Sequence, residues 1–139
     1  MEIIANAVQT VPANQNVYFT DTIIGGNYSI SHRDDSGLVT LRGVTNQGRA
    51  RFMVTFGGNI AIPTGGTVEP ISLAIAIDGE PVAASTMIVT PAAVDNYFNV
   101  SASAFIDVTR GCCTTVSVQN LSGESILVQN ANLIITREA

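Results

Sequence analysis

The sequence predicts an all-β protein, a single domain of ten antiparallel strands arranged as a sandwich. Turn-forming groups of Gly, Asn, Asp, Ser and Pro recur at short, regular intervals. The segments between them are rich in Val, Ile, Thr, Phe and Tyr, as β-strands are. No window shows the i, i+3, i+4 spacing of an amphipathic helix. The predicted strands cover residues 3–10, 16–22, 28–32, 38–43, 49–57, 70–78, 83–90, 97–108, 113–120 and 126–136.

Alternation within these segments predicts which side chains face the core. In 71–78, large aliphatic residues alternate with small or polar ones, so the aliphatic face looks inward. Ala74 and Ala76 lie on the other face, which suits close approach by a strand, sheet or subunit. In 98–107 the same alternation is broken by Phe105, an aromatic residue that is predicted to point outward.

The charge content indicates a protein that meets copies of itself. Charged residues make up 12% of the chain, against about 25% in typical domains. Either the surface is built from Ser, Thr, Asn and Gln, or part of it lies in subunit interfaces; the sequence supports both. We expect an oligomer, with Met53, Tyr97 and Phe105 at the subunit contact together with Ala74 and Ala76.

The charge and hydropathy of the chain also exclude several partners. The net charge is −5 and all six basic residues are Arg, so no positive face is predicted for nucleic acid. No segment reaches the ~18 consecutive apolar residues that would span a bilayer. The N-terminal residues lack the basic and apolar regions of a signal peptide. Either the protein is made and assembled in the cytoplasm, or a leader lies outside this sequence. We expect the first, with a final location in a virion or on an extracellular or spore surface.

Two adjacent cysteines, Cys112 and Cys113, allow two interpretations. Neighbouring residues of a strand point to opposite faces, so a bridge within the pair is geometrically poor. The pair is either reduced, with one thiol buried as a small apolar group, or one thiol crosslinks to another subunit. A zinc site would need further ligands, and the chain has one histidine.

The remaining candidates for chemistry are weak, and no catalytic residue, cofactor or metal is predicted. His32 precedes Asp34 and Asp35 and could be a base that they orient, but no nucleophile motif accompanies it. A turn that carries polar residues explains it as well. A calcium site built from turn carboxylates is a minor alternative. Those carboxylates are Asp34, Asp35, Asp78, Glu80, Asp95 and Asp107.

Several segments carry a resemblance to a known family. They are GRARFMVTFGGNIAIP (48–63), ISLAIAIDGEPV (71–82), IDV (106–108), TTVSVQ (114–119), NLSG (120–123) and VQNANLII (128–135). Residues 16–136 resemble the jelly-roll superfamily of tumour necrosis factor and the complement first-component heads, in its bacterial and phage branch of collagen-like fibre heads. The resemblance implies a ten-stranded jelly roll, a homotrimer and a structural or receptor-binding role. Residues 1–15 would be an N-terminal strand or arm. No Gly-X-Y stalk is present, and Cys112-Cys113 departs from the turn expected there.

Three functions follow from these observations. The first is a non-enzymatic trimeric head, a decoration or fibre module of a phage virion that binds other virion proteins or a receptor. The second is a spore-surface or filament-forming subunit of a Gram-positive bacterium, in which residues 3–11 add as a strand to a neighbour. The third is a carbohydrate-binding module for a host glycan, since jelly rolls often serve as lectins. The absence of tryptophan weakens the third.

Overall fold

The computed structural model describes residues 1–139 as two six-stranded antiparallel sheets packed face to face, without an α-helix. The all-β prediction and the jelly-roll sandwich are confirmed. The first sheet has the order β10-β6-β12-β1-β3, with β2 also paired to β12. Its strands are β1 (Glu2–Ala5), β2 (Gln9–Val11), β3 (Asp21–Ile24), β6 (Arg49–Ala61), β10 (Phe98–Thr109) and β12 (Ile126–Arg137).

The second sheet has the order β4-β5-β11-β7-β8, with β9 also paired to β7. Its strands are β4 (Ile30–His32), β5 (Val39–Arg42), β7 (Ile71–Ile77), β8 (Glu80–Pro81), β9 (Met87–Val89) and β11 (Cys113–Asn120). A 3₁₀ turn at Ala83–Ser85 joins β8 to β9. The structure contains no helix that is long and apolar enough to cross a membrane.

The core lies between the sheets and is a single cluster of 28 buried apolar residues from both. Strand β6 supplies its largest side chains, Phe52 and Phe56, which are fully buried because alternate residues of the strand face inward. The edge of the Phe19 ring meets Phe56 at a centroid distance of 6.5 Å. Each buried Phe contributes about 1.5–3 kcal/mol relative to an exposed one. The two sheets therefore depend on one shared core.

The strand prediction is wrong in three places. The predicted strand 3–10 is two strands, because residues 6–8 leave the sheet between β1 and β2. Most of 16–22 is irregular, held by isolated bridges such as Asn16 to Gln119, and regular pairing starts only at Asp21. The segment 83–90 contains the 3₁₀ turn before β9, because the Ser85 hydroxyl accepts a hydrogen bond from Ile75 N and donates to Val82 O.

The predicted strand 49–57 is too short, because the adjacent glycines Gly57 and Gly58 have the composition of a turn but lie inside β6, which continues to Ala61. Neither has positive φ; the positive-φ glycines are Gly65, Gly79 and Gly111, each in a turn. Strand β12 has a register shift opposite Gly57, between Gln129 and Asn132. A Cβ on Gly58 would lie 3.2 Å from Phe56 Cζ and 3.5 Å from Ala131 Cα. The tight contact at Gly58 is therefore with the Phe56 ring of its own strand, and the bulge at Ala131 lies at ordinary contact distance. A Cβ on Gly57 would meet nothing within 4 Å, so the structure does not explain a glycine there.

The N-terminal segment is a strand of its own protomer rather than a free arm. In β1, Ile3 lies opposite Leu133 and is fully buried, and β2 pairs with β12 further along. The Met1 amino group donates to Ile135 O at 2.7 Å. The expectation that residues 3–11 add to a neighbour is therefore wrong for this fold, because the segment is already paired within the chain.

Asn120 is a buried polar residue that joins three parts of the chain. Its amide nitrogen donates to Val11 O at 3.0 Å, Pro12 O at 3.2 Å and Glu124 O at 3.0 Å. Its amide oxygen accepts from Ser122 N at 2.8 Å. Because Asn120 is fully buried, water cannot replace its side chain as the hydrogen-bond partner of these backbone groups.

We expect Asn120→Ala to lower the free energy of unfolding by about 3 kcal/mol, since it leaves several buried polar groups without a partner. Urea unfolding followed by circular dichroism measures this. Asn46→Ala, in an exposed loop, is the matched control and should change stability by less than about 0.5 kcal/mol. An equal effect of both substitutions would contradict the role given to Asn120.

Asp78 fixes the turn between β7 and β8 to the neighbouring strand β11. Its carboxylate accepts hydrogen bonds from the Thr114 hydroxyl and from Thr115 N, the second at 2.9 Å. The Thr114 hydroxyl, followed by Thr115 N, holds the pKa of Asp78 below its ordinary value. A carboxylate whose pKa is lowered by folding stabilises the fold above its unfolded pKa, and this stabilisation is lost as pH falls through the folded value.

We therefore expect wild-type stability to fall in acid, below about pH 4, more steeply than that of Asp78→Asn. The variant is less stable at neutral pH. It loses less stability on acidification, because it has no carboxylate at position 78 to protonate. Urea midpoints measured between neutral pH and the acid limit test this. Glu80→Gln removes a charge from the same turn without removing a hydrogen bond, and should keep the neutral-pH stability of the wild type. Parallel pH profiles for the wild type and Asp78→Asn would refute the assignment.

Candidate functional site

The outer side of β6 and β10 forms an uncharged surface with one large aromatic residue. The register pairs Phe105 with Met53, Ser103 with Thr55 and Ser101 with Gly57, so these residues share one face. Strand β12 continues the surface, with Thr136 opposite Met53 and Ile134 opposite Thr55. We call this surface the β6–β10 face; its residues are Met53, Thr55, Gly57, Ser101, Ser103, Phe105, Ile134 and Thr136.

Phe105 dominates the β6–β10 face. It is 65% exposed, while Ile134 is 38% exposed. Two hydroxyl groups between them satisfy each other, since Thr55 Oγ1 and Ser103 Oγ are 3.1 Å apart. Charged side chains flank the face, with Glu2 opposite Ile134 and Asp107 two residues after Phe105. Hydroxyl groups cost much less than charges to remove from water. The face is therefore suited to burial against another protein surface.

Charged residues mark one end of the β6–β10 face. Arg51 binds Asp107 through two hydrogen bonds, from Nε at 2.8 Å and Nη2 at 3.1 Å, and Arg49 Nε lies 3.3 Å from the same carboxylate. The hydrogen bond from Arg51 holds the pKa of Asp107 below its ordinary value. All three side chains are partly exposed, so the ion pairs contribute little to stability. They give the face a defined polar boundary.

Three of the five predicted interface residues are available on the surface. Met53 and Phe105 are cross-strand partners on the β6–β10 face, and Tyr97 lies just before β10 with 37% of its surface exposed. The orientation predicted for Phe105 is confirmed. Whether these residues form a subunit contact stays a prediction. Sequence reasoning missed Ile134, because the run Leu133-Ile134-Ile135 is apolar at every position and its alternation is hidden.

The other two predicted interface residues, Ala74 and Ala76, are unavailable and this part of the prediction is wrong. Both are fully buried within the protomer, in β7 of the second sheet. Their methyl groups lie beside larger side chains of neighbouring strands, Gln119 opposite Ala74 and Pro81 opposite Ala76. The small residues fit their own sheet, and they have no surface to offer a second subunit.

The chemical candidates do not converge. His32 Nε2 bonds to the backbone oxygen of Ser36 at 2.9 Å, and its Nδ1 is buried without a partner, so neither Asp34 nor Asp35 orients the ring. His32 and Cys113 pair with opposite ends of β5. No three His, Cys, Asp or Glu side chains form a group that could hold a metal.

Two surface hollows remain, in addition to an open polar one beside His32. The first, of about 250 Å³, is lined by Tyr28, Arg42, Gly43, Val44, Gly111, Cys112 and Cys113. Cys112 and Cys113 are free and exposed, so the interpretation with one thiol buried is wrong. The second, also of about 250 Å³, has largely apolar walls and is lined by Ala5, Ala7, Val8, Gln9, Tyr18, Thr20 and Asp35.

Comparison with known proteins shows similarity in fold alone. No protein-family model matches the chain, and no curated protein matches it in sequence. Its structure is similar to the globular domain of the zebrafish complement 1qA protein, with a TM-score of 0.67 and 14% identity over 99% of this chain and 96% of that one. It also matches the sugar-binding EclA C-terminal domain over 95% of this chain and 79% of that one, with a TM-score of 0.44 and 14% identity. A family 35 carbohydrate-binding module from Cellvibrio japonicus matches with a TM-score of 0.40 and 9% identity, over 100% of this chain and 98% of that one. Those two scores are too low to bear on function, whereas the first shows that the chain has a jelly-roll fold similar to that of the complement domain.

Proposed function

We propose that this protein is a non-enzymatic structural module that assembles as a homotrimer through the β6–β10 face. The observation that carries the proposal is Phe105, a 65% exposed aromatic residue on the edge strand β10, which lies opposite Met53 of β6. Isolated exposed apolar residues are common, but here Phe105, Met53 and Ile134 lie on adjacent strands. Apolar residues that share one exposed face mark a protein–protein contact.

The energetics favour burial of this face. Aromatic residues and Met are enriched at the centre of interfaces, and charged residues are depleted there. Burying an exposed Phe stabilises an assembly by about 1.5–3 kcal/mol. A stable contact covers about 800 Å² on each partner, which is more than one residue offers. The neighbouring side chains from β6, β10 and β12 supply the rest of that area.

The trimeric state rests on the resemblance to complement-like heads, and the similarity in fold supports it. Around a threefold axis, equivalent residues of three copies meet, so the three Phe105 side chains would lie close together. We propose that such a trimer serves as a head, decoration or fibre module of a phage virion, contacting other virion proteins or a receptor. A spore-surface subunit is the alternative. Since residues 3–11 are already paired, a filament of this protein needs a contact other than strand addition by that segment.

We expect Phe105→Glu to convert the trimer to monomer, because it would place three carboxylates in one buried contact. Light scattering coupled to size exclusion, at micromolar concentration, measures the change. Circular dichroism should show an unchanged fold, since Phe105 lies outside the core.

Ile88→Glu is the matched control for this experiment. Ile88 is 64% exposed, nearly the same fraction as Phe105, but it belongs to β9 in the second sheet. This variant should remain trimeric. A wild-type protein that is monomeric at micromolar concentration would refute the proposal. A trimer that survives Phe105→Glu would exclude the β6–β10 face as its contact.

Carbohydrate binding is a second candidate function, favoured by the hollow beside Tyr18. An exposed aromatic residue, apolar walls, the Thr20 hydroxyl and the Asp35 carboxylate occur together there. Sugars combine apolar C–H faces with hydroxyl groups, so such a hollow could hold one. The backbone of Tyr18 is fixed by two hydrogen bonds with the Gln9 side chain, at 2.8 and 2.9 Å.

If the hollow binds a glycan, Tyr18→Ala should abolish the signal on a glycan array. Tyr28→Ala, which removes an exposed tyrosine outside this hollow, should retain it. An array without binders, in the presence and absence of calcium, would eliminate this second function and leave the first intact.

A further inference from the structure

We propose that Cys112 and Cys113 form disulfide bonds to other copies of this chain and so link the assembled protein covalently. Both thiols are free and exposed, and they lie side by side at one end of the sandwich. This inference rests on the proposed function, because the assembly that the disulfide bonds would link is the proposed trimer. It uses a surface separate from the β6–β10 face.

The segment that carries the thiols is held rigidly. Cys112 N donates to Thr109 O at 2.9 Å and Gly111 has a φ of 78°, as in a tight turn whose third residue is glycine. The neighbouring loop binds this turn through Gly43 N to Cys112 O, at 2.9 Å, and Gly111 N to Gly43 O, at 3.1 Å. A Cβ on Gly43 would collide with Thr109 O, so the two segments are as close as backbones permit. Rigid, exposed thiols lose little conformational entropy when they bond to a partner.

A bond within the pair is disfavoured by the backbone. Cys113 is the first residue of β11 and pairs with Arg42 of β5, so its side chain lies on the Arg42 side of the sheet. Cys112 lies just outside the strand, and both cysteines line the same hollow. Consecutive Cα atoms across a trans peptide are only about 3.8 Å apart, whereas an unstrained disulfide needs about 4.4–6.8 Å. The disulfide partner of each sulfur therefore has to come from another molecule.

The surroundings of the thiols suit a contact with a second copy. Tyr28 is 74% exposed and Val44 is 45% exposed, and both line the same hollow as the two cysteines. Arg42 gives the hollow a fixed wall, since its Nη1 donates to Tyr28 O at 3.1 Å and Ser31 Oγ at 2.9 Å. Its guanidinium lies 5.2 Å from the centre of the Tyr28 ring. Exposed apolar groups beside the thiols can make a non-covalent contact with the second copy before the disulfide bond forms.

The covalent step requires an oxidant, and a small-molecule disulfide such as oxidised glutathione is sufficient. A thiolate of one copy attacks the small disulfide, which forms a mixed disulfide and releases one small thiolate. A thiolate of a second copy then attacks the protein sulfur of the mixed disulfide, which forms the protein–protein bond and releases the second small thiolate. Two protein thiols are oxidised, one small disulfide is reduced to two small thiols, and the two protons of the protein thiols pass to the released small thiolates. Oxidised glutathione carries carboxylates, which the Arg42 cation attracts.

Two thiols on each chain give a definite expectation for connectivity. A chain that bonds through both cysteines can join two others, so the wild type should form a ladder of covalent oligomers. A chain that has one thiol can form only a dimer. Cys112→Ser and Cys113→Ser should therefore each stop at the dimer, and the double variant should remain a single chain.

The experiment treats the reduced full chain and the three variants with one molecule of oxidised glutathione per chain and then blocks the remaining thiols. Denaturing gels with and without reductant, together with intact mass, give the covalent size. A wild-type ladder that collapses with reductant and stops at the dimer in both single variants is the expected result. A wild type that yields only glutathione adducts, only a monomer two hydrogens lighter, or only a dimer would overturn the inference.

Light scattering of the reduced protein separates this inference from the proposed function. A reduced trimer that forms no covalent ladder would overturn the disulfide linkage and leave the trimer standing. A ladder from a protein that is monomeric when reduced would overturn the trimer and leave the disulfide linkage standing.

Discussion

The pairing of β6 with β10 on one side and β12 on the other is the constraint on which the rest of the structure depends. Twelve consecutive residues of β10 lie in register with β6, from Phe98 opposite Ile60 to Thr109 opposite Arg49. That register fixes both faces at once, because a slip by one residue would exchange the buried and exposed sets. The inward set gives the core Phe52 and Phe56, and the outward set gives the β6–β10 face. Core and proposed interface are therefore two consequences of a single hydrogen-bonding pattern.

The two sides of this strand pair differ in how completely the protomer uses them. Inside, every large side chain of β6 is buried, and the core needs no further partner. On the outer side, Phe105 lies beside hydroxyl groups and is not covered by another part of its own chain. In strand β7 of the second sheet, the small residues Ala74 and Ala76 are instead fully covered by neighbouring side chains. The proposed subunit contact therefore lies on the first sheet, although the second sheet also exposes one large apolar residue, Ile88 of β9.

The sequence was sufficient to predict the fold class, most strands and the outward orientation of Phe105, because these follow from local alternation and turn residues. It failed where the deciding contact is distant in the chain. Gly57 and Gly58 look like a turn, and only their pairing with β10 and β12, far along the sequence, shows that they lie inside a strand. Ala74 and Ala76 look like interface residues because alternation separates faces but does not show whether neighbours cover them. The segment 3–11 could not be assigned to its own sheet or to a neighbour's until its pairing with β12 was known.

The antiparallel pairing of β1 with β12 has a consequence for how this module can be attached. The Met1 amino group binds near the end of β12, and Glu138 N donates to Arg51 O near the start of β6, so both termini emerge at one pole. The turn that carries Cys112 lies at this pole too, because Arg110 N bonds to Gly48 O just before β6. The opposite pole holds the loop 62–70, which is tied to Glu124 through Thr67. A stalk joined at either terminus would leave the distal loops facing outward, as an anchored head requires.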